Sequence, residues 1–418
     1  MLCPKRSWYP HSPPVLRWFS WFCCRLLALA FGIRGKGLDR LAKGPVLVIA
    51  PHVNFLDPIF ILGTMPRPPR FIADSYFTFL NPFLAWAMWL AGVTPVDRTK
   101  TDPYAVRQFL RLLTQNELCI LFPEGGRSLD GKILPPLAQA VKLAAKLKVP
   151  VASVALKGAY DSWPRWDPLI RQPWGRVTVQ FVEFLRPATA DQGSQHPPSL
   201  AKVYDFKKKI ALEEEKILLT QALSRAAEGE SRAINLLRWG RPGAIPRLLC
   251  FCPDCVKPNG LSWRSRENIL ACSACGLRLK VGRRELIRIN EGQNSAPMPI
   301  DQWFETMQNA FRKNESSSYL FASKVLARIQ KTFQKNSTPL EPSSLRVDSK
   351  TFALRTASHG MAQMPVSVAA RGNLKGTEAL EIIHGGQKIT VQTNGESLVP
   401  WLILMRKAAG WSDFFSEI

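Results

Sequence analysis

The chain has 418 residues, 46% hydrophobic and 21% charged, which argues against a wholly disordered chain and is too long for one ordinary domain. Lys and Arg number 56 against 32 Asp and Glu, a net charge of +24, so the favoured partners are anionic: phospholipid headgroups, nucleic acid or small phosphorylated molecules. Thirteen Trp and twenty-two Phe favour a membrane interface over a nucleic-acid channel, because amphipathic rings suit a boundary with one apolar and one wet side.

Along residues 1–33, Lys5 and Arg6 precede an apolar run from Val15 to Ile33. No small-residue cleavage site follows, and Arg17 and Arg25 interrupt the run. This predicts an interfacial helix, with Trp18, Phe19, Trp21, Phe22, Leu26 and Leu27 dipping into lipid and Arg17 and Arg25 meeting phosphates; a spanning anchor is the alternative. Val46–Ile49 and Leu118–Phe122 read as short buried strands. Residues 71–90 read as a strand followed by a helix near the membrane. Helices are expected over Asp102–Asn116 and Ala138–Lys148, and strands over Pro150–Leu156 and Val177–Phe184. This alternation predicts an α/β sheet flanked by helices over residues 34–240. Ala188–Leu200 reads as a surface loop and Tyr204–Leu237 as a long charged helix or helix pair.

Five of the nine Cys lie between Cys250 and Cys275, which points to a local metal site in a reducing compartment and not to a secreted disulfide framework. Cys252-Pro-Asp-Cys255 and Cys272-Ser-Ala-Cys275 make two C-x2-C knuckles with a zinc-ribbon spacing. Residues 245–290 therefore form a zinc-ribbon-like module with structural zinc on Cys252, Cys255, Cys272 and Cys275, Cys250 being a less well spaced substitute for Cys252. Lys257, Arg264, Arg266, Arg278, Arg283 and Arg284 make it basic. A spacer whose charges meet lipid or water is favoured over a nucleic-acid binder. Residues 291–418 read as a helix over Ile300–Asn314, short strands, and a closing helix over Leu398–Ala409. That order resembles a lipid-binding module of pleckstrin-homology type.

His52 and Asp57 follow the first buried strand in Pro51-His52-Val53-Asn54-Phe55-Leu56-Asp57. Acyl transfer to an alcohol needs a base, and a histidine oriented by a carboxylate suits it. Phe122-Pro123-Glu124-Gly125-Gly126-Arg127-Ser128 follows the second strand at the same sheet edge. There Gly125 and Gly126 permit close approach, Arg127 and Ser128 suit a phosphate, and Glu124 can accept from a substrate hydroxyl or hold Arg127. Arg98 adds a second guanidinium.

These segments, with Val96-Asp97-Arg98 and Val149-Pro150-Val151, resemble the four ordered motifs of the PlsC-like lysophosphatidic acid and glycerol-phosphate acyltransferases over Arg34 to Leu185. The resemblance implies an O-acyltransferase with His52 as general base, Asp57 as its orienting partner, and Glu124, Arg127 and Arg98 near the acceptor phosphate. It also implies acyl-CoA or acyl-carrier protein as donor, a glycerol-phosphate-type lipid as acceptor, and the cytoplasmic face of a membrane. Pro51 stands where the family usually has Asn, and Gly126 where it usually has Thr. Leu134-Pro135-Pro136-Leu137-Ala138 replaces a basic, Gly-containing segment. These departures leave the catalytic pair intact and the acceptor open to lysophospholipids or another polar lipid. An inactive lipid-binding scaffold and a nucleic-acid-binding ribbon protein are the alternatives.

Overall fold

The computed structural model describes residues 12–74, 82–96, 103–167, 177–186, 205, 208, 211–228, 236–237, 241–290, 294–313, 321–331, 340–347, 350–370, 372–375, 379–384, 387–393 and 397–409. The chain forms two compact units, Met1–Trp163 with Arg171–Ser231, and Pro164–Ile170 with Arg232–Ile418. The four segments expected from sequence thus fall into two bodies. Residues 1–33 join the first, the ribbon and the β-rich region share the second, and Pro164–Ile170 belongs with the second.

The first unit is built on a seven-stranded sheet comprising β1 (Arg34–Lys36), β2 (Val46–Ile49), β3 (Arg70–Asp74), β4 (Val93–Val96), β5 (Leu118–Leu121), β6 (Val151–Lys157) and β7 (Thr178–Arg186), in the order β1-β7-β6-β2-β5-β3-β4. The run from β6 to β4 is parallel, while β7 pairs antiparallel with β6. All four residues of β2 and of β5 are buried, the unbroken apolar pattern of a strand covered on both faces. Helices α1 (Pro14–Ala30), α2 (Asp57–Thr64), α3 (Pro82–Leu90), α4 (Pro103–Thr114), α5 (Ala138–Lys146), the short α6 (Ala159–Ser162) and α7 (Leu212–Ala227) belong to the same unit. One face of the sheet is closed by Phe109, Leu113, Val141, Ala144, Leu219 and Ala222, drawn from α4, α5 and α7. The register Ile49↔Leu121 aligns the carboxyl ends of β2 and β5, while Ile49↔Ser153 lets β6 run on past them to Lys157. That edge is where an open α/β sheet presents ligand-binding loops. Strands β1 and β4 are too short and too mixed to stand out in the sequence.

Helix α1 packs on α2 through its narrowest face. A Cβ on Gly63 would lie 2.6 Å from the Cys24 carbonyl oxygen and 2.8 Å from the Ala28 Cβ. Trp21 Nε1 and Arg25 donate to the Met65 carbonyl, at 3.1 and 3.3 Å, and so satisfy a carbonyl at the end of α2 that has no helical partner. Arg17 is not turned outward to phosphates. It is buried, and it donates to Glu117 at 2.6 Å, an acid shared with Arg70 at 3.0 Å. The reason is electrostatic: with Arg17 and Arg70 both on its carboxylate, Glu117 offers a buried cation the fixed partner it needs out of water. The outer face is apolar, with Val15, Phe19, Phe22, Leu26 and Leu29 exposed. Among the described residues no helix is long and apolar enough to cross a membrane.

The second unit contains a five-stranded antiparallel ribbon, β8 (Leu261–Arg264), β9 (Ile269–Cys272), β10 (Arg278–Val281), β11 (Glu285–Arg288) and β12 (Met298–Pro299), in the order β12-β11-β10-β9-β8. It continues into α8 (Ile300–Lys313) and a seven-stranded antiparallel sheet, β13 (Phe321–Lys331), β14 (Glu341–Val347), β15 (Thr351–Thr356), β16 (Gly360–Pro365), β17 (Asn373–Lys375), β18 (Ala379–His384) and β19 (Gln387–Gln392). The order is β16-β15-β14-β13-β19-β18-β17. The short α9 (Val366–Ala369) links β16 to β17, and α10 (Val399–Ala408) is the last helix among the described residues, burying Trp401 and Leu402. A buried ion pair, Arg241 to Asp167 at 3.0 Å, explains why Pro164–Ile170 belongs here. The expected loop over 188–200 and most of the expected helix before residue 212 lie outside the described residues.

Gly63→Leu forces backbone apart where α1 meets α2, at a cost of about 1–3 kcal/mol. The expected outcome is protease cleavage within α1 and an altered Trp21 environment, while the sheet keeps a single unfolding transition. An uncut α1 would show that this close approach is not what seats the helix.

Candidate functional site

His52 lies just past β2, in a loop that ends where α2 begins at Asp57. Asp57 is the first residue of that helix, where a negative charge is favoured by the exposed N–H groups. Its carboxylate is fully buried, and one oxygen takes three donors. His52 Nδ1 lies 2.9 Å from Oδ2, and the backbone N–H groups of Val53 and Asn54 donate to the same atom, each at 2.8 Å. The ring is fixed on its other side by Phe122, stacked at 4.4 Å between centroids. The imidazole side chain keeps 20% exposure, so it is held yet reachable.

Glu124 and Arg127 come from the loop after β5, which the strand register brings beside His52. Glu124 is turned inward. One oxygen accepts the His52 N–H at 2.8 Å and the other the Leu134 N–H at 2.7 Å. Burial pushes its carboxyl up to about 8, opposed by the two backbone donors from Leu134 and His52 and reinforced by the Asp57 charge. Through these two bonds it is a strut between two loops. The same loop is pinned again by the Leu137 N–H on the Pro123 carbonyl at 2.8 Å and by the Tyr160 hydroxyl on the Leu129 carbonyl at 2.8 Å.

Gly125 adopts φ 65°, a conformation that favours glycine. A Cβ on Gly126 would meet nothing within 4 Å, so space lies open there. The Arg127 guanidinium lies 5.4 Å over the Phe55 ring, whose edge meets Trp163 at 5.7 Å. Burial pulls its proton affinity down, chiefly against the pull of Asp57. Ser128 is buried, and its hydroxyl has no hydrogen-bond partner among the described residues. Arg98 lies outside the described residues.

The sequence reading missed Asn54. Its Nδ2 donates to the Ala159 carbonyl at 2.7 Å and to Ser162 Oγ at 2.6 Å, and its Oδ1 accepts the Leu56 N–H at 2.8 Å. The last bond is an Asx-turn, a local signal present in the sequence. The first two tie the His52 loop to the loop after β6, which no local pattern announces.

In the second unit, Cys252, Cys255, Cys272 and Cys275 bring four sulfurs within 4.8 Å of one another. Cys252 and Cys275 are 3.6 Å apart, as are Cys255 and Cys272. The two knuckles repeat one backbone pattern, with the Cys252 N–H on the Lys257 carbonyl at 3.0 Å and the Cys272 N–H on the Leu277 carbonyl at 2.8 Å. Each turn then needs a left-handed residue, Val256 (φ 58°) in the first and Gly276 (φ 75°) in the second. A β-branched residue held in that region is strained, and the closure of the knuckle keeps it there. Such a site can hold a metal ion. Cys250 is buried and stands outside the cluster.

The Acyltransferase family model matches residues 32–157. Over this stretch the chain is similar to acyltransferases. The chain is 34% identical over 151 residues to a 1-acyl-sn-glycerol-3-phosphate acyltransferase of Chlamydomonas reinhardtii, covering 35% of this chain and 45% of that protein. It is 32% identical over 135 residues to the Saccharomyces cerevisiae 1-acyl-sn-glycerol-3-phosphate acyltransferase (31% and 44%). Among solved structures, the 1-acyl-sn-glycerophosphate acyltransferase PlsC of Thermotoga maritima aligns at 22% identity and a TM-score of 0.38, covering 52% of this chain and 81% of that one. The chain thus spans just under half the length of the two curated relatives, and the match ends before the second unit begins.

Glu124→Gln sets an amide N–H against one of two backbone donors and leaves that donor unsatisfied. The expected loss is about 1–3 kcal/mol of stability at neutral pH. Because burial raises the Glu124 pKa, the folded wild type holds a proton that the unfolded chain releases between the ordinary carboxylate range and about pH 8. Wild-type stability therefore falls as pH rises through that window. The gap between wild type and variant, read by chemical denaturation, narrows from pH 5 to pH 8; a widening gap would mean that the backbone donors outweigh burial.

Proposed function

We propose that the first unit transfers an acyl group from acyl-CoA or acyl-carrier protein to the hydroxyl of a glycerol-phosphate-type lipid, such as 1-acyl-glycerol 3-phosphate. The observation that carries this reading is the His52–Asp57 pair at 2.9 Å beside Arg127, within the stretch that matches the Acyltransferase family model. With Nδ1–H donated to Asp57, Nε2 is the ring atom that takes the proton from the acceptor hydroxyl. The alkoxide oxygen attacks the thioester carbonyl, the new C–O bond forms as the C–S bond breaks, and the imidazolium returns its proton to the departing thiolate. No protein nucleophile takes part. Asp57 fixes the ring and offsets the charge it gains, as the acid does in a serine-hydrolase triad.

Arg127 binds the acceptor phosphate in this reading, with Arg98 as a second cation and Gly125 and Gly126 allowing close approach. Glu124 and Asn54 act as positioning residues for the His52 loop. The named relatives, all 1-acyl-sn-glycerol-3-phosphate acyltransferases, support the acceptor class. The exposed apolar face of α1, together with Phe83 at 82% exposure on α3, supports a seat at a membrane interface.

The four thiolates of the ribbon fit structural zinc. Tetrahedral zinc with Zn–S near 2.3 Å sets sulfurs about 3.8 Å apart, close to the 3.6 Å observed. All four positions come from the protein, so the ion would close the knuckles and take no part in acyl transfer. The seven strands and closing helix after the ribbon support a lipid-binding module of pleckstrin-homology type.

His52→Ala is expected to lower acyl transfer about 100-fold or more with the fold retained, measured in detergent with labelled acyl-CoA and a panel of lysophosphatidic acid, glycerol 3-phosphate and lysophospholipids. Turnover near wild type would remove His52 from the mechanism. Chelation is expected to release one zinc per chain and melt the ribbon, read by metal analysis and by new cleavage within residues 250–290, while the first unit keeps its unfolding transition. Zinc loss without any change in cleavage would overturn the structural role.

A further inference from the structure

We propose that one face of the zinc-ribbon sheet is a docking surface for an anionic phospholipid bilayer. The pairing register fixes which residues share that face. Arg264 pairs with Ile269 and Ile269 with Lys280, while Ser262 pairs with Ala271 and Ala271 with Arg278. Directly opposed residues point the same way, so Ser262, Arg264, Arg278 and Lys280 stand on one side of the ribbon, and all four are exposed. The other side carries Leu261, Leu270, Leu279 and Val281, all buried, with Trp303 of α8 donating to the Leu286 carbonyl at 3.3 Å. The ribbon therefore has one face committed to its own core and one cationic face turned to solvent.

The turns at the rim add to this charge. Arg266 sits in the turn between β8 and β9, and Arg283 and Arg284 in the turn between β10 and β11, all three exposed. Of the acids nearby, Glu267 is occupied by Arg278 at 2.8 Å and Arg264 at 3.7 Å, and Glu285 opens β11 beside Gly282. Arg266, Lys280, Arg283 and Arg284 make no ion pair among the described residues. The ribbon thus displays Lys280 on this face and Arg266, Arg283 and Arg284 in its turns, four cations against the one acid, Glu285, that Arg264 and Arg278 leave unoccupied. Such a cluster attracts a surface of negative potential and lowers its free energy with each phosphate it meets.

The chemistry of the face selects lipid over nucleic acid. Single-stranded nucleic acid binds where bases stack on exposed rings. This face exposes Ser262, Arg264, Arg278 and Lys280 and no aromatic residue, and the ring of β8, Trp263, is on the core side, 3.6 Å from where a Gly243 Cβ would lie. Among the described residues of the ribbon, no helix projects from the face to enter a groove. Cations spread over a small flat sheet match an array of headgroup phosphates. None of these residues has a part in the acyl-transfer reading.

The test uses the full-length, zinc-loaded chain and sedimentation with vesicles of pure phosphatidylcholine or of phosphatidylcholine with about 30% phosphatidylglycerol. The variant carries Arg266→Glu, Lys280→Glu, Arg283→Glu and Arg284→Glu; a second carries Gln at the same four positions. Wild type is expected to bind the anionic vesicles at least about tenfold more tightly than the neutral ones, with the difference erased at high salt. Both variants are expected to lose that difference while keeping bound zinc, binding to neutral vesicles and acyl transfer in detergent. Retention of the anionic preference by both variants overturns the proposal. So does loss of binding to a polynucleotide with vesicle binding unchanged, which would make the face a nucleic-acid surface. Failure of acyl transfer in wild type, with the vesicle preference intact, counts against the enzymatic reading and leaves this one standing.

Discussion

The candidate site depends on a single carboxylate oxygen. Asp57 Oδ2 accepts from the His52 ring and from two successive backbone N–H groups, and the residue itself opens α2. Three donors and a helix N-terminus make a buried acid tolerable. In return the acid sets the loop's path and the imidazole's orientation together. The spacing His-x4-Asp follows from that geometry. Fewer residues could not wrap the loop around the oxygen, and an Asp further along the helix would lose the backbone donors.

Around that node the sheet edge is tied together by side chains that contact backbone. Glu124 joins the loops after β2 and β5, and Asn54 joins the loops after β2 and β6. Both residues are fully buried, so each bond is made where water cannot compete, and breaking one leaves an unsatisfied group. The aromatic rings complete the frame, Phe122 against His52 and Phe55 beneath Arg127. Space lies open beside Gly126, where an added Cβ would meet nothing within 4 Å.

The second unit achieves order by a different route. Its ribbon has a small core, and two knuckles of matching backbone geometry bring four sulfurs together. Gly276 fits its left-handed position without strain, whereas Val256 must be held there. Val256 is kept there by the backbone bonds that close its knuckle, its own N–H on the Cys252 carbonyl and the Cys252 N–H on the Lys257 carbonyl, each at 3.0 Å.

The sequence by itself determined the parts of this protein that are local and periodic. These include the buried runs Val46–Ile49 and Leu118–Leu121, the helix over residues 103–114, the two C-x2-C knuckles, and the presence of His52, Asp57 and Arg127 at strand ends. Such features depend on neighbours in the chain, which can be read directly. The tertiary structure decided the rest. Arg17 faces Glu117 instead of lipid phosphate because a residue 100 positions away supplies the anion. Glu124 acts as a strut because the His52 and Leu134 N–H groups converge on it. Asn54 gained its anchoring role from Ala159 and Ser162. Hydrogen-bond partners distant in sequence become neighbours only through strand register and helix packing. The direction a buried polar side chain takes is set by whichever partner that packing supplies.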